Sequence, residues 1–123
     1  MLEPSQVEAL HLKAGQGDAE AAYELSWRHA LGNGLPEDDP EAVRWLKLAA
    51  ARGHLLACNN LGARHVSGEG VPQSCVEAWA WFHFAAERGD RKAGKNRDSV
   101  GSEMGEAELS EALNRAQALN ATA

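Results

Sequence analysis

The sequence has few of the features on which a disulfide framework or a membrane span depends. Its two cysteines, Cys58 and Cys75, are too few for a disulfide framework and do not form a Cys-x-x-Cys pair. Its most apolar stretch, from Trp79 to Phe82, is far shorter than the roughly 20 residues that span a bilayer. We therefore expect no disulfide scaffold and no membrane partner.

Positive charge is also scarce, because 12 lysines and arginines stand against 18 acids and give a formal net charge of −6. Recognition of phosphates needs a basic face, so we expect no nucleic-acid partner. The stretch from Met1 to Val7 lacks the basic leader and apolar segment of a secretory signal. We expect a cytoplasmic protein, and a secreted or periplasmic one only if a signal peptide was removed.

A period of 36 residues organises the chain. Gly17, Gly53 and Gly89 are evenly spaced, and windows 17–52 and 53–88 carry the same residue at fourteen of their thirty-six positions. A fixed period of this size indicates a repeat architecture, in which stacked units share one core.

Each window has the pattern of a helix pair. Ala21, Leu25 and His29 recur at helical spacing, which places them on one stripe of the first helix. A Gly-x-Gly-x-Pro segment follows at 32–36 and again at 68–72, and this composition is typical of a turn. We therefore predict an all-α fold of helix-turn-helix repeats.

The 36-residue period also predicts where the helices and the repeat units begin. A short side chain that accepts a hydrogen bond marks each predicted helix start. The predicted N-caps are Asp18, Asp38 or Asp39, Asp90, and Ser74 with Glu77 as a capping box. The chain is long enough for one domain over 1–123. We divide it into an N-terminal half unit (4–16), repeat 1 (17–52), repeat 2 (53–88) and a degenerate capping unit (89–123).

These residues resemble the Sel-1-like repeat family, an α-solenoid relative of the tetratricopeptide repeats. The second window supplies the family outline in order as Ala57, Leu61-Gly62, Gly68, Gly70-Val71, Ala78, Trp81, Ala85-Ala86 and Gly89. The first window repeats it with Ser26 in place of the glycine after Leu25. The resemblance implies a right-handed α-solenoid that serves as a protein–protein interaction adaptor or scaffold and is not an enzyme.

We predict no catalytic residue, no metal site and no cofactor. His29 and His65 recur one period apart at a packing position of the helical stripe, which favours core histidines over metal ligands. Cys58 lies at a packing position and Cys75 in the first turn of a helix, so neither is expected to act as a nucleophile.

A concave groove lined by the first helix of each unit is the predicted partner site. Period-equivalent positions off the packing stripe should face it. Tyr23 and Trp27 are candidate aromatic anchors. The asparagines suit a peptide backbone, since an amide both donates and accepts hydrogen bonds. The predicted partner-binding residues are Glu20, Tyr23, Glu24, Trp27, Asn59, Asn60, Lys92 and Lys95.

Two alternatives stay open. One is a hydrolase acting on β-lactam or cell-wall material, as claimed for a cysteine-rich branch of the family; that branch pairs cysteines at positions held here by Ala50 and Cys58. Only one of these is a cysteine. The other alternative is a self-assembling structural protein that forms a homo-oligomer through Leu109, Leu113 and Leu119.

Overall fold

The chain forms α-helices joined by short turns. A computed structural model describes residues 2–122, and within that range every regular element is a helix. The helices are α1 (Pro4–Gly15), α2 (Ala19–Leu31), α3 (Asp39–Ala51), α4 (Leu55–Ser67), α5 (Cys75–Glu87), α6 (Arg91–Gly101) and α7 (Glu106–Thr122). The predicted all-α fold of helical repeats is confirmed.

The helices form two compact units, the first ending at Ala57 and the second beginning at Cys58. The boundary falls in the first turn of α4. The first unit contains α1 to α3, and the second contains most of α4 together with α5 to α7. The single domain over 1–123 and its division into four parts stay predictions.

The predicted N-caps are present. The side chains of Asp18, Asp38, Ser74 and Asp90 each accept a hydrogen bond from the backbone N–H three residues later, at 3.0 to 3.1 Å. The capping box at Ser74 is half formed, because the backbone N–H of Ser74 donates to the carbonyl oxygen of His65 at 2.8 Å, and the Glu77 carboxylate accepts from the guanidinium of Arg115 at 2.6 Å. These caps satisfy backbone donors that the first turn of a helix leaves free.

A histidine replaces the acidic cap at the start of α4. His54 lies one period after Asp18 and one before Asp90, and its Nδ1 accepts from the backbone N–H of Ala57 at 3.2 Å. An accepting Nδ1 carries no proton, so Nε2 is the protonated nitrogen and donates to Glu20 at 2.8 Å.

The turn inside each repeat is fixed by a histidine. The ring Nδ1 of His29 lies 3.0 Å from the carbonyl oxygen of Pro36, and that of His65 lies 2.9 Å from the carbonyl oxygen of Pro72. A carbonyl only accepts, so each Nδ1 donates. His65 is buried and His29 half-buried, and both serve the fold in the way expected of core histidines.

Small residues bring the helices of each unit close together. Ala42, Ala49 and their equivalents in α5 are fully buried, and Trp45 and Trp81 are only 7% and 6% exposed. Alanine at a crossing lets the helix axes approach, and the indoles then fill the remaining space.

In the second unit, α4 approaches α5 closely at Gly62. A Cβ atom placed on Gly62 would lie 2.5 Å from a ring carbon of Phe82, so only glycine fits there. The period-equivalent pair in the first unit is Ser26 and Leu46, both buried. A smaller leucine in place of the phenylalanine explains why the first unit accepts a serine at this position.

We expect Gly62→Ala to destabilise the protein. The steric cost of overpacking, about 1–3 kcal/mol, exceeds the helix-propensity gain of about 1 kcal/mol. Ser26→Ala, which removes a buried hydroxyl and adds no volume, is the matched control and should lower the free energy of unfolding by less than about 1 kcal/mol. Urea denaturation measures both.

The second test of this pair is a double variant. Phe82→Leu reproduces the pair of the first unit, so Gly62→Ala should cost little in that background. An equal cost of Gly62→Ala with and without Phe82→Leu would contradict the packing explanation.

Candidate protein-interaction surface

The first four predicted partner residues lie on α2 in the first unit. Glu20 is the most exposed, with 78% of its side chain open to solvent, whereas Tyr23, Glu24 and Trp27 are half-buried. The structure divides them into two pairs, each attached to a neighbouring basic side chain.

Glu20 and Tyr23 both contact His54. The Glu20 carboxylate accepts from His54 Nε2, and the Tyr23 ring stacks on the imidazole with centroids 4.4 Å apart and planes 22° from parallel. His54 is also the N-cap of α4. These two residues therefore orient a capping side chain, a contribution to the fold that the sequence analysis did not predict.

Glu24 and Trp27 flank Arg28. The guanidinium donates to Glu24 at 2.8 Å and lies 4.6 Å from the centroid of the Trp27 ring. It also donates to the backbone carbonyl of Asn33 in the following turn, at 3.2 Å. Because the guanidinium is tied to the turn, the indole has a fixed neighbour while remaining partly exposed.

Asn59 is the predicted residue whose environment differs most from expectation. It was placed on an open groove, but only 8% of it is exposed. Its Nδ2 donates to Asp90 at 2.7 Å, and its Oδ1 lies 3.5 Å from Nδ2 of Asn96. The amide thus holds the carboxylate that caps α6, because this position faces the following helix start.

The contacts of Tyr23 and Asn59 are one feature repeated with different chemistry. The two residues are period equivalents, and each contacts the N-cap 31 residues later, His54 and Asp90 respectively. A ring stacks on the histidine cap, whereas an amide bonds to the aspartate cap. A sequence signal could have identified these pairs: residues 23 and 59 each lie 31 positions before a capping position of the 36-residue period.

The remaining predicted residues lie in the second unit. Asn60, Lys92 and Lys95 are exposed. A hollow of about 260 Å³ is lined by residues of α4, α5 and α6 that include Ala63, Phe82 and Ser99. Ala63 and Ser99 are the period equivalents of Trp27, so this unit has an opening at the positions where the first unit carries an indole.

Neither thiol is arranged as a nucleophile. Cys58 is buried, and burial raises the pKa of its thiol to about 12. Cys75 is partly exposed and donates a hydrogen bond to Oε2 of Glu108 at 3.0 Å. This bond raises the pKa of Cys75 and lowers that of Glu108. A reactive cysteine needs the opposite shift, toward thiolate.

In the part of the chain that the structure describes, no three histidine, cysteine or acidic side chains come together as a metal site. Between residues 2 and 122, no helix has the length and apolar character to span a bilayer.

The face considered for self-assembly is largely closed. Leu119 is only 7% exposed and packs in the second unit, whereas Leu113 is 45% exposed. Leu109 is half-buried. The predicted leucine face therefore presents mainly one side chain.

Comparisons with known proteins agree with the helical-repeat architecture. A family model described as Sel1 repeat matches residues 19–54 and 55–90. No curated protein matches the chain.

Two solved structures resemble the whole chain. A Sel1 repeat protein from Oxalobacter formigenes is 29% identical with a TM-score of 0.65, covering 90% of this chain and 96% of that one. A protective antigen present in uropathogenic Escherichia coli strains, which displays an SLR fold, is 28% identical with a TM-score of 0.83. That match covers 93% of this chain but only 25% of the antigen, so the chain spans a quarter of its length.

The structural contribution of Asn59 is testable by Asn59→Ala. Removing the amide leaves Oδ2 of Asp90 without its donor, while Oδ1 still caps α6, so we expect a loss of about 1–3 kcal/mol in the free energy of unfolding. Asn60→Ala, at the exposed neighbour, is the matched control and should cost less than about 1 kcal/mol. Thermal denaturation compares them, and equal effects would show that the Asn59–Asp90 bond contributes little.

The Cys75–Glu108 pair predicts how the thiol reacts. Glu108→Ala removes both the acceptor that holds the thiol proton and a charge that repels the thiolate. The pKa of Cys75 should fall, and alkylation at pH 8 should accelerate by about threefold to tenfold. Glu106→Ala, at another exposed acid of α7, is the control, and Cys58 should react only after unfolding. An unchanged or slower rate in Glu108→Ala would contradict the assignment.

Proposed function

Because this chain belongs to the Sel1 repeat family, we propose that it is a protein-interaction scaffold that holds a partner peptide on the first helices of its repeats. Such folds are typically non-catalytic, and their stacked helix pairs present extended surfaces for partners. The observation that carries the proposal is Trp27, a half-buried indole on α2 whose neighbour Arg28 is anchored to the adjoining turn.

Trp27 has the properties of an interface anchor. Tryptophan and arginine are enriched among the residues that dominate binding energy. A ring that is already held in place loses less conformational entropy on binding. The Arg28 guanidinium over the ring and its bonds to Glu24 and the Asn33 carbonyl supply that order. A partner side chain that covers the indole would remove apolar surface from water at little cost in conformational entropy.

The second unit supports the same proposal with different side chains. Asn60, Lys92 and Lys95 are exposed there, and the hollow beside Ala63 is large enough to receive a side chain. We assign Asn59 a supporting contribution through Asp90, because its amide is buried. Each unit thus offers its own contact surface for a peptide partner.

The thiol chemistry weighs against the hydrolase alternative. Both cysteines are free, and the pKa of each is raised. A nucleophilic hydrolase would need one of them, or a serine, activated by an adjacent base. Free cysteines also fit the reducing cytoplasm that we propose as the location.

Affinity capture with Trp27→Ala tests the scaffold proposal. The wild type and the variant are immobilised at equal density, and the retained proteins are identified and quantified. We expect Trp27→Ala to lose the specifically retained partner by about tenfold or more, as loss of a binding hot spot does. The reason is that the indole supplies the apolar anchor.

Leu12→Ala is the control for this capture, because Leu12 is 62% exposed on α1 and lies outside the proposed surface. It should retain the partner. The melting temperature of Trp27→Ala should fall by less than about 4 °C, the shift that corresponds to about 1 kcal/mol for a chain of this length. Unchanged retention, or unfolding of the variant, would refute the anchor assignment.

A further inference from the structure

The second unit contains a further cavity, which shares Val66 and Val100 with the hollow beside Ala63 and is otherwise lined by residues outside the proposed partner surface. It measures about 590 Å³ and lies between the end of α4, the start of α5 and the α6–α7 connection. Its volume is within the range of about 300–1,000 Å³ that is usual for ligand pockets. Because it lies within one unit, its walls belong to a single body of packed helices.

The walls of the cavity combine apolar side chains with acidic ones. Val66, Val76, Val100 and Met104 supply the apolar part. Val66 is 45% exposed, which leaves an apolar wall open to solvent.

Every charged side chain in the lining is a carboxylate, from Glu103 or Glu108, and no lysine or arginine takes part. The chain as a whole carries a net charge of −6. A ligand for this cavity must therefore bring positive charge together with apolar surface.

The two carboxylates differ in their present partners. Glu108 accepts from the Cys75 thiol and from the backbone N–H of Gly105, at 3.0 and 3.3 Å. These bonds fix its position and lower its pKa, so it stays ionised at neutral pH. Glu103 is exposed and, among residues 2–122, makes its only hydrogen bond through its backbone. Its carboxylate is free to receive a donor.

The other polar groups in the lining are already engaged. The imidazole of His65 donates to Pro72, the Ser74 hydroxyl accepts from the Glu77 backbone, and the Gln73 amide donates to the Val66 carbonyl. These groups add polarity without adding a cation. The charged groups that a ligand meets are thus carboxylate acceptors beside an apolar wall.

We propose that this cavity binds an arginine side chain of a partner protein, with the aliphatic stem against Val66 and Val100 and the guanidinium between Glu103 and Glu108. Arginine buries its stem along apolar surface while its head remains hydrated, and it forms strong charge-assisted bonds to carboxylates. The site is separate from Trp27. The proposal rests on the proposed function only in that the arginine belongs to a partner protein.

Cys75 provides a reporter inside the cavity, because its thiol lines the wall. Cys58→Ala removes the other thiol and introduces the residue found one period earlier, Ala22. In this background, a cationic methanethiosulfonate should modify Cys75 about fivefold faster than an anionic one, as expected for nearby carboxylates. Equal rates would overturn the proposed electrostatic preference.

The binding test uses two peptides that differ in one charge. Acetyl-Leu-Arg-Leu-amide is compared with acetyl-Leu-citrulline-Leu-amide, which is nearly isosteric but neutral. Each is titrated against the alkylation of Cys75 by iodoacetamide. Half protection should require about tenfold less of the arginine peptide, because its bonds to carboxylate are charge-assisted.

Matched variants locate the effect. Glu103→Gln should abolish most of the difference between the two peptides, whereas Glu111→Gln should preserve it. Both change the net charge equally, and Glu111 is an exposed residue of α7 outside the cavity lining.

Two results would overturn the proposal: equal protection by the two peptides, or an equal loss in both variants. Loss of partner capture by Trp27→Ala is independent of this readout, so the two proposals can fail separately.

Discussion

The close packing of each helix pair is the constraint on which the other features depend. Alanines at the helix crossings and Gly62 against Phe82 bring backbones near enough for Trp45 and Trp81 to be buried between helices. Dense interiors tolerate little change in volume. The serine of the first unit is therefore matched by a leucine at position 46, and the glycine of the second by a phenylalanine.

Close packing fixes which residues of neighbouring helices lie opposite each other. This alignment in turn determines where the N-caps lie. The capping positions 18, 54 and 90 recur at the period, and residues 23 and 59 each reach the next cap. Contact with the next cap is made by aromatic stacking in one repeat and by an amide–carboxylate hydrogen bond in the other. The contact with the next cap is thus kept in both repeats although the side chains that make it differ. Neighbouring surface positions are then free to differ as well.

The binding proposals concern those differing positions. The first unit carries an ordered indole at Trp27, whereas the second has a hollow beside Ala63 and an acidic cavity near Glu103. The buried side chains of each unit recur at the period, as Trp45 and Trp81 do, whereas these surface residues do not. Specific recognition then depends on residues that the period does not constrain.

The sequence by itself determined the helices, the period and the turns, because small residues, N-caps and Gly-x-Gly segments act through local geometry that recurs every 36 residues. It also indicated that Trp45 and Trp81 are buried and that His65 belongs to the core. Only the tertiary structure decided that Asn59 is buried against Asp90, that His54 meets Glu20, and that Cys75 meets Glu108 beside a cavity. The physical reason is that these contacts join residues about thirty positions apart, and their distances are set by how whole helices pack.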